Sequence, residues 1–240
     1  MTELLAKIID AYGGAERYDT VSTIKLDVDY QGPFWEFKGH ADFAGVEETV
    51  ADLHAQKITQ RSRATGRTVE FDQDKRLVTV TSADGTVLDT LRNPRDTFEG
   101  YTPDTKWSLA QIAYFRSYAT HFYLPEPFLF TWPGTIAEEI EPWVENGEAW
   151  RGLSITFPKN IDTHNETQKY YFDDKGLLRR MDYQPVVNGY SPTAHYVSGH
   201  TEVDGIIVAT TREIFIRQEN GTPDRSWTPI RLDLSDISFE

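Results

Sequence analysis

There is no cysteine in the 240 residues, which excludes disulfides, thiolate catalysis and cysteine-based zinc or iron–sulfur sites. Basic side chains are scarce: 24 Lys and Arg stand against 38 Asp and Glu, for a formal net charge of -14. That field repels a phosphate backbone or an anionic lipid surface, so nucleic acid is not an expected partner. Long apolar runs are missing as well, and no stretch is long enough for membrane insertion. The N-terminal MTELLAKIIDAYGG mixes acidic with apolar residues and lacks the basic region and apolar core of a signal peptide. The expectation is a cytoplasmic protein in which the sequons at Asn165 and Asn220 are turn sequences.

Familiar catalytic signatures are also absent. The chain has no Gly-x-Ser-x-Gly elbow, no phosphate-binding Gly-Lys-Ser/Thr, no Gly-x-Gly-x-x-Gly after a strand and no His-Glu-x-x-His. A serine triad and nucleotide cofactors are therefore set aside, and no cofactor or metal is expected. His40 shares a polar strand face with Glu36 and Asp42, but their spacing does not demand a metal.

What the chain has in abundance is alternation. The segment from Thr167 to Arg217 reads as four long strands, with Asp-Lys-Gly, Asn-Gly and Asp-Gly where hairpins close. The same period-two pattern runs through Ile24, Leu26, Val28 and Tyr30. After Gly32-Pro33 it continues through Trp35, Phe37, Ala41 and Phe43, which predicts a further strand. Shorter strands are expected at about 56–63, 67–72, 76–82, 86–91, 136–144 and 149–157, and a last one ends in Asp-Ile-Ser-Phe.

Two segments break the alternation with helical spacing. Residues 2–12 place Leu4, Leu5, Ile8, Ile9 and Tyr12 on one face, capped by Thr2 and stopped by Gly13-Gly14. A second helix starts at Ser108, where Ser108 and Gln111 form a capping box, and runs to about Tyr123. It is apolar nearly all round, so it must be buried, and Arg116 within it needs a carboxylate from the protein or from a ligand. The loop 93–107 before it and the apolar run 128–134 after it read as rims of a site.

The fold class that follows is mainly β: one domain over residues 1–240, with a large curled antiparallel sheet, as a half-barrel or barrel, an N-terminal helix and an inserted lid helix. The 31 aromatics, counted as 6 Trp, 12 Tyr and 13 Phe, suit the mouth of a curled sheet that takes a hydrophobic or aromatic small molecule. A homodimer remains open. The layout, from the helix ending in AYGGAERY through the strands and lid helix to the closing Asp-Ile-Ser-Phe, resembles the LolA/LppX-type lipoprotein-carrier fold. That fold also includes VioE, a small cofactor-free enzyme. The segments EIEPWVENGEAWRGLSITFP and YYFDDKGLLRRMDY are similar to bacterial proteins without an assigned activity, so the resemblance implies a fold and no catalytic residue.

Candidates for chemistry come from the residues themselves. His195 shares a strand face with Val197 and Val203, so it points inward, as a core histidine or as a general acid or base. Asp182 pairs with Arg180 in solvent or, if the sheet is covered on both faces, orients a histidine. His164 sits in the polar linker NIDTHNET and is expected to be exposed at a rim, where it is the other candidate, beside Asp182, for an orienting partner to His195. Arg116 and Tyr118 are candidates to stabilise a developing anion, His121 to face the cavity mouth and Arg212 to clamp a ligand carboxylate. These residues frame a cofactor-independent enzyme, an isomerase, cyclase, lyase or hydrolase acting on an apolar or aromatic small molecule. The alternative is a non-catalytic carrier or sensor that uses the same cavity, and a scaffold domain is a third reading.

Overall fold

The computed structural model describes all 240 residues. Its frame is a single open sheet of thirteen antiparallel strands in the order β6-β5-β4-β3-β2-β1-β13-β12-β11-β10-β9-β8-β7. The strands are β1 (Thr23–Gln31), β2 (Gly45–Asp52), β3 (Lys57–Ser62), β4 (Thr68–Asp72), β5 (Leu77–Thr81), β6 (Val87–Arg92), β7 (Ile136–Glu145), β8 (Glu148–Thr156), β9 (Thr167–Phe172), β10 (Leu178–Tyr183), β11 (Thr193–Val203), β12 (Ile206–Ile216) and β13 (Ile230–Phe239). Neighbouring strands are mostly consecutive in sequence, because short turns return the chain beside itself. The exception is β13, which pairs with both β1 and β12 and so joins the first and last thirds of the chain at the middle of the sheet.

The helices are α1 (Glu3–Ala11), α2 (Ala15–Tyr18), α3 (Phe34–Phe37) and α4 (Leu109–Tyr123). The sheet does not close; α4 fills its concave side. Fourteen of its fifteen residues are buried, as expected for a helix apolar on every face. Ser108 accepts from the Gln111 backbone N–H and the Gln111 side chain accepts from Ser108 N–H, so the capping box is formed. The helix leans on β3, β4, β5 and β6. The buried residues of α1 join the same core, and its end is locked where Gly13, at φ +109°, lies against the carbonyl of Gly205 in the β11–β12 turn.

Local chemistry overrode the alternating pattern in three places. Residues 34–43 form α3 and a 3-10 turn at Ala41–Phe43, not the expected strand. Phe34 and Trp35, adjacent in sequence, are both buried, which a strand with one wet face does not allow. Asn188-Gly189 closes no tight hairpin; it ends a 3-10 turn inside a longer loop between β10 and β11, with Gly189 at φ +63°. The run 128–134 begins as a 3-10 turn whose Phe128, Leu129 and Phe130 belong to the core and form no rim.

Candidate functional site

Directly under α4, five side chains form one buried hydrogen-bonded chain. The Tyr118 hydroxyl lies 3.3 Å from His164 Nδ1, and His164 Nε2 lies 2.7 Å from the Tyr123 hydroxyl. Tyr123 continues to the Tyr183 hydroxyl at 3.3 Å, which reaches His195 Nδ1 at 3.2 Å. Hydroxyls donate and accept, so the chain can be satisfied with both imidazoles neutral. Burial holds the imidazole of His164 down to about 3 and that of His195 well below its ordinary value, and the nearby cations Arg95 and Arg212 add to this. His195 points inward, as its alternation predicted. Its Nε2 has no partner.

His164 corrects the reading of an exposed linker residue. Its backbone carbonyl is pinned by Val186 N–H, and its ring is stacked between α4 and β10, fully buried. Asp182 is corrected too. Alternation on β10 puts Met181 and Tyr183 on the concave side with His195, and Arg180 and Asp182 on the convex side. Asp182 therefore orients no histidine. It binds Arg180 at 2.7 Å, and the pair is buried, not solvated, beneath the Trp143 ring and the Gly221 carbonyl.

The remaining candidates are tied to the protein. Arg116 binds Glu47 of β2 at 2.5 Å, with Arg67 close to the same carboxylate. Arg116 and Tyr118 are two residues apart on a helix and diverge, the first toward β2 and the second toward His164, so they do not form one anion site. His121 is held by the Asp52 carbonyl at 2.7 Å and does not face a cavity. Arg212 binds Glu126 at 2.9 Å and the Tyr123 carbonyl at 3.0 Å, so its clamp is internal. Burial lifts the Glu126 carboxyl to about 7 against the opposing pull of Arg212. The sequence reading missed Glu47 and Glu126. A lone carboxylate between two prolines in LPEPFLF was the available signal for Glu126, whereas Glu47 lies in an ordinary strand pattern with none.

A narrow cleft opens between α4 and the strands β1, β12 and β13. Phe34, Trp35, Phe115, Ala119, Ile230 and Leu232 supply its apolar walls, and Arg116, Tyr123, His164 and Tyr183 border it. Neither His195, Tyr118, His121, Arg212 nor Asp182 lines it. The free volume inside is about 60 Å³, room for a few waters and well below the roughly 300–1,000 Å³ of small-molecule pockets. A second, larger cleft of about 690 Å³ is polar, lined by Arg76, Arg95, Asp96, Lys159 and Asp162, with Arg76 and Asp96 paired at 3.0 Å.

Comparison with solved structures gives the architecture a place. A LolA superfamily protein from Nitrosomonas europaea matches with a TM-score of 0.55 at 9% identity, over 98% of this chain and 92% of that one. The fold is LolA-like. This LolA-like arrangement also matches a DUF1329 family protein from Desulfovibrio piger, with a TM-score of 0.51 at 12% identity over 99% and 92% of the two chains. A putative outer membrane lipoprotein-sorting protein domain from Vibrio parahaemolyticus matches with a TM-score of 0.50 at 9% identity, over 99% and 91%. No protein-family model matches the chain, and no curated protein matches it. No helix is long and apolar enough to cross a membrane.

Proposed function

We propose that the protein is a carrier or sensor of an apolar small molecule, which it takes into the cleft between α4 and the β1, β13 and β12 strands. The carrying observation is the disposition of the polar groups. Every imidazole and guanidinium expected to do chemistry makes at least one bond to another part of the protein, and the one histidine beside the cleft, His164, has both nitrogens engaged. The unpartnered Nε2 of His195 lies away from the cleft, and Arg116, unpartnered at Nη2, is a fixed cation with no proton to exchange near neutral pH. Acid/base catalysis needs a group able to exchange a proton with a bound substrate near neutral pH, and a histidine held at about 3 is a poor one. An apolar-walled slot next to an all-round apolar helix suits a ligand that replaces helix contacts with its own. The likeness in fold to a putative lipoprotein-sorting domain supports the same reading.

Because the free space is small, binding requires α4 or the loop between β10 and β11 to shift and the cleft to widen. The neutral dye Nile red is a direct probe. Its fluorescence should rise with wild-type protein, and Ala119→Trp, which fills the slot from the helix side, should weaken binding by about tenfold or more. Equal binding by the variant removes the cleft as the ligand site.

A further inference from the structure

The exposed aromatic side chains are not scattered. Phe37, Tyr190 and Trp227, at 43%, 59% and 45% exposure, are the only large aromatics so exposed, while Val50, Val87, Leu88, Ile136 and Val144 lie on strands away from the cleft. Each of the three stands within three residues of the cleft wall. Phe37 ends α3, which supplies Phe34 and Trp35; Tyr190 lies between Asn188 and Ser191; Trp227 comes two residues before Pro229. These segments touch one another. Phe34 N–H donates to the Pro229 carbonyl, Arg217 N–H donates to the Pro192 carbonyl, and Lys38 Nζ donates to the carbonyls of Pro103 and Thr105. Gly189 packs against Thr102 and Pro103. Three aromatics on three joined segments thus crown the mouth.

Charge separates this crown from the rest of the surface. The segments 34–38, 101–107, 184–192 and 217–229 hold four cations (Lys38, Lys106, Arg217 and Arg225) and four anions (Glu36, Asp104, Glu219 and Asp224), so the whole surplus of -14 lies elsewhere. In a strongly acidic protein, the segments that carry the exposed rings have no net charge of their own. The rings are also separate, each among polar neighbours, instead of fused into the continuous apolar patch that a protein interface buries at its centre. Trp and Tyr favour the headgroup region of a bilayer, where an apolar ring sits with its polar edge in water, and an exposed Phe adds an apolar contact beside them.

We propose that the cleft mouth docks on a zwitterionic lipid surface, with Phe37, Tyr190 and Trp227 as its anchors. This goes beyond ligand binding in the cleft and rests on that reading only for its purpose, which is to bring the mouth to a source of apolar molecules. It also refines the inference from net charge: the -14 field disfavours an anionic surface but leaves a neutral one open.

The test is flotation of the full-length protein with phosphatidylcholine vesicles, alongside Nile red binding in solution. Wild type should float with phosphatidylcholine. Trp227→Ala should lower the partition by about tenfold, and Phe37→Ser/Tyr190→Asn/Trp227→Ser should abolish it, with unchanged circular dichroism and Nile red binding. Adding phosphatidylglycerol to the vesicles should weaken flotation at low salt. The proposal is overturned if wild type stays in solution, if the triple variant floats as well as wild type, or if anionic vesicles are preferred. Loss of Nile red binding by wild type with flotation retained would instead count against the cleft reading alone.

Discussion

The imidazole of His164 lies flat on the phenol ring of Tyr183, with centroids 4.0 Å apart and planes 8° from parallel. The two rings come from the β8–β9 connection and from β10, and they meet only because the sheet curls around α4. With both ring nitrogens of His164 engaged by tyrosines and the ring itself buried, protonating it means charging a buried group. This fixes the acid behaviour of the fold.

Stability should fall as pH drops below about 6.5, the ordinary histidine value. His164 is held at about 3, and His195 well below its usual value, so the unfolded chain binds more protons than the folded one across this range. Each such group contributes a slope of about 1.4 kcal/mol per pH unit below about pH 6.5, so its stability is fully present above that pH and is lost on acidification. Glu126, lifted to about 7, works in the opposite direction between about pH 7 and its unfolded value near 4.5, and offsets about one histidine. Denaturant titrations at pH 7.5, 6 and 5 should show a net decline, and His164→Gln should make it shallower, with the buried His195 and His121 and the half-buried His200 sustaining the rest. A wild-type stability that holds or rises toward pH 5 would mean that His164 is charged in the fold.

The Arg212–Glu126 pair fastens the end of the plug helix to β12. Arg212→Met should destabilise by about 3–5 kcal/mol, because it leaves a buried carboxyl without its cation. Adding Glu126→Gln should restore a large part of the loss, since two neutral groups carry no uncompensated charge. A double-mutant cycle in urea measures the coupling. Strictly additive single effects would show that the two side chains do not interact.

Gly13 and Gly14 are adjacent, both with positive φ, yet they should respond differently to alanine. A Cβ at Gly13 would meet the Gly205 carbonyl oxygen at 2.1 Å, whereas one at Gly14 meets nothing within 4 Å. Gly14→Ala should cost about 1 kcal/mol from backbone strain alone, and Gly13→Ala about 2–4 kcal/mol, because α1 must also move off the β11–β12 turn. Comparison of the two melting temperatures reads the difference. Equal shifts would mean that the contact relaxes freely.

Most of the strand borders were legible because alternation repeats over many residues and Asn-Gly or Asp-Gly marks the tight turns, as at Asn146-Gly147 and Asp204-Gly205. The capping box at Ser108 fixed the start of α4, and its apolar circumference announced its burial. Residues 34–43 misled because Trp35, Phe37, Ala41 and Phe43 fall by chance at odd positions and imitate a strand, while the short α3 has too few residues to show a helical period. His164 misled for a different reason: a polar linker reads as exposed, and the chain carries no local sign that tyrosines from α4 and β10 will close over it.

Charge, composition and hydropathy period are properties of neighbours along the chain, and they were enough to determine an acidic, mainly β protein with a curled antiparallel sheet and one buried helix. Which face Asp182 occupies, which carboxylate answers Arg116 and Arg212, and how His164 and His195 come to share a hydrogen-bonded chain were settled only by tertiary structure. Each of those contacts joins residues far apart in sequence, and their distance depends on the curvature of the sheet and the seating of α4, which no local pattern encodes.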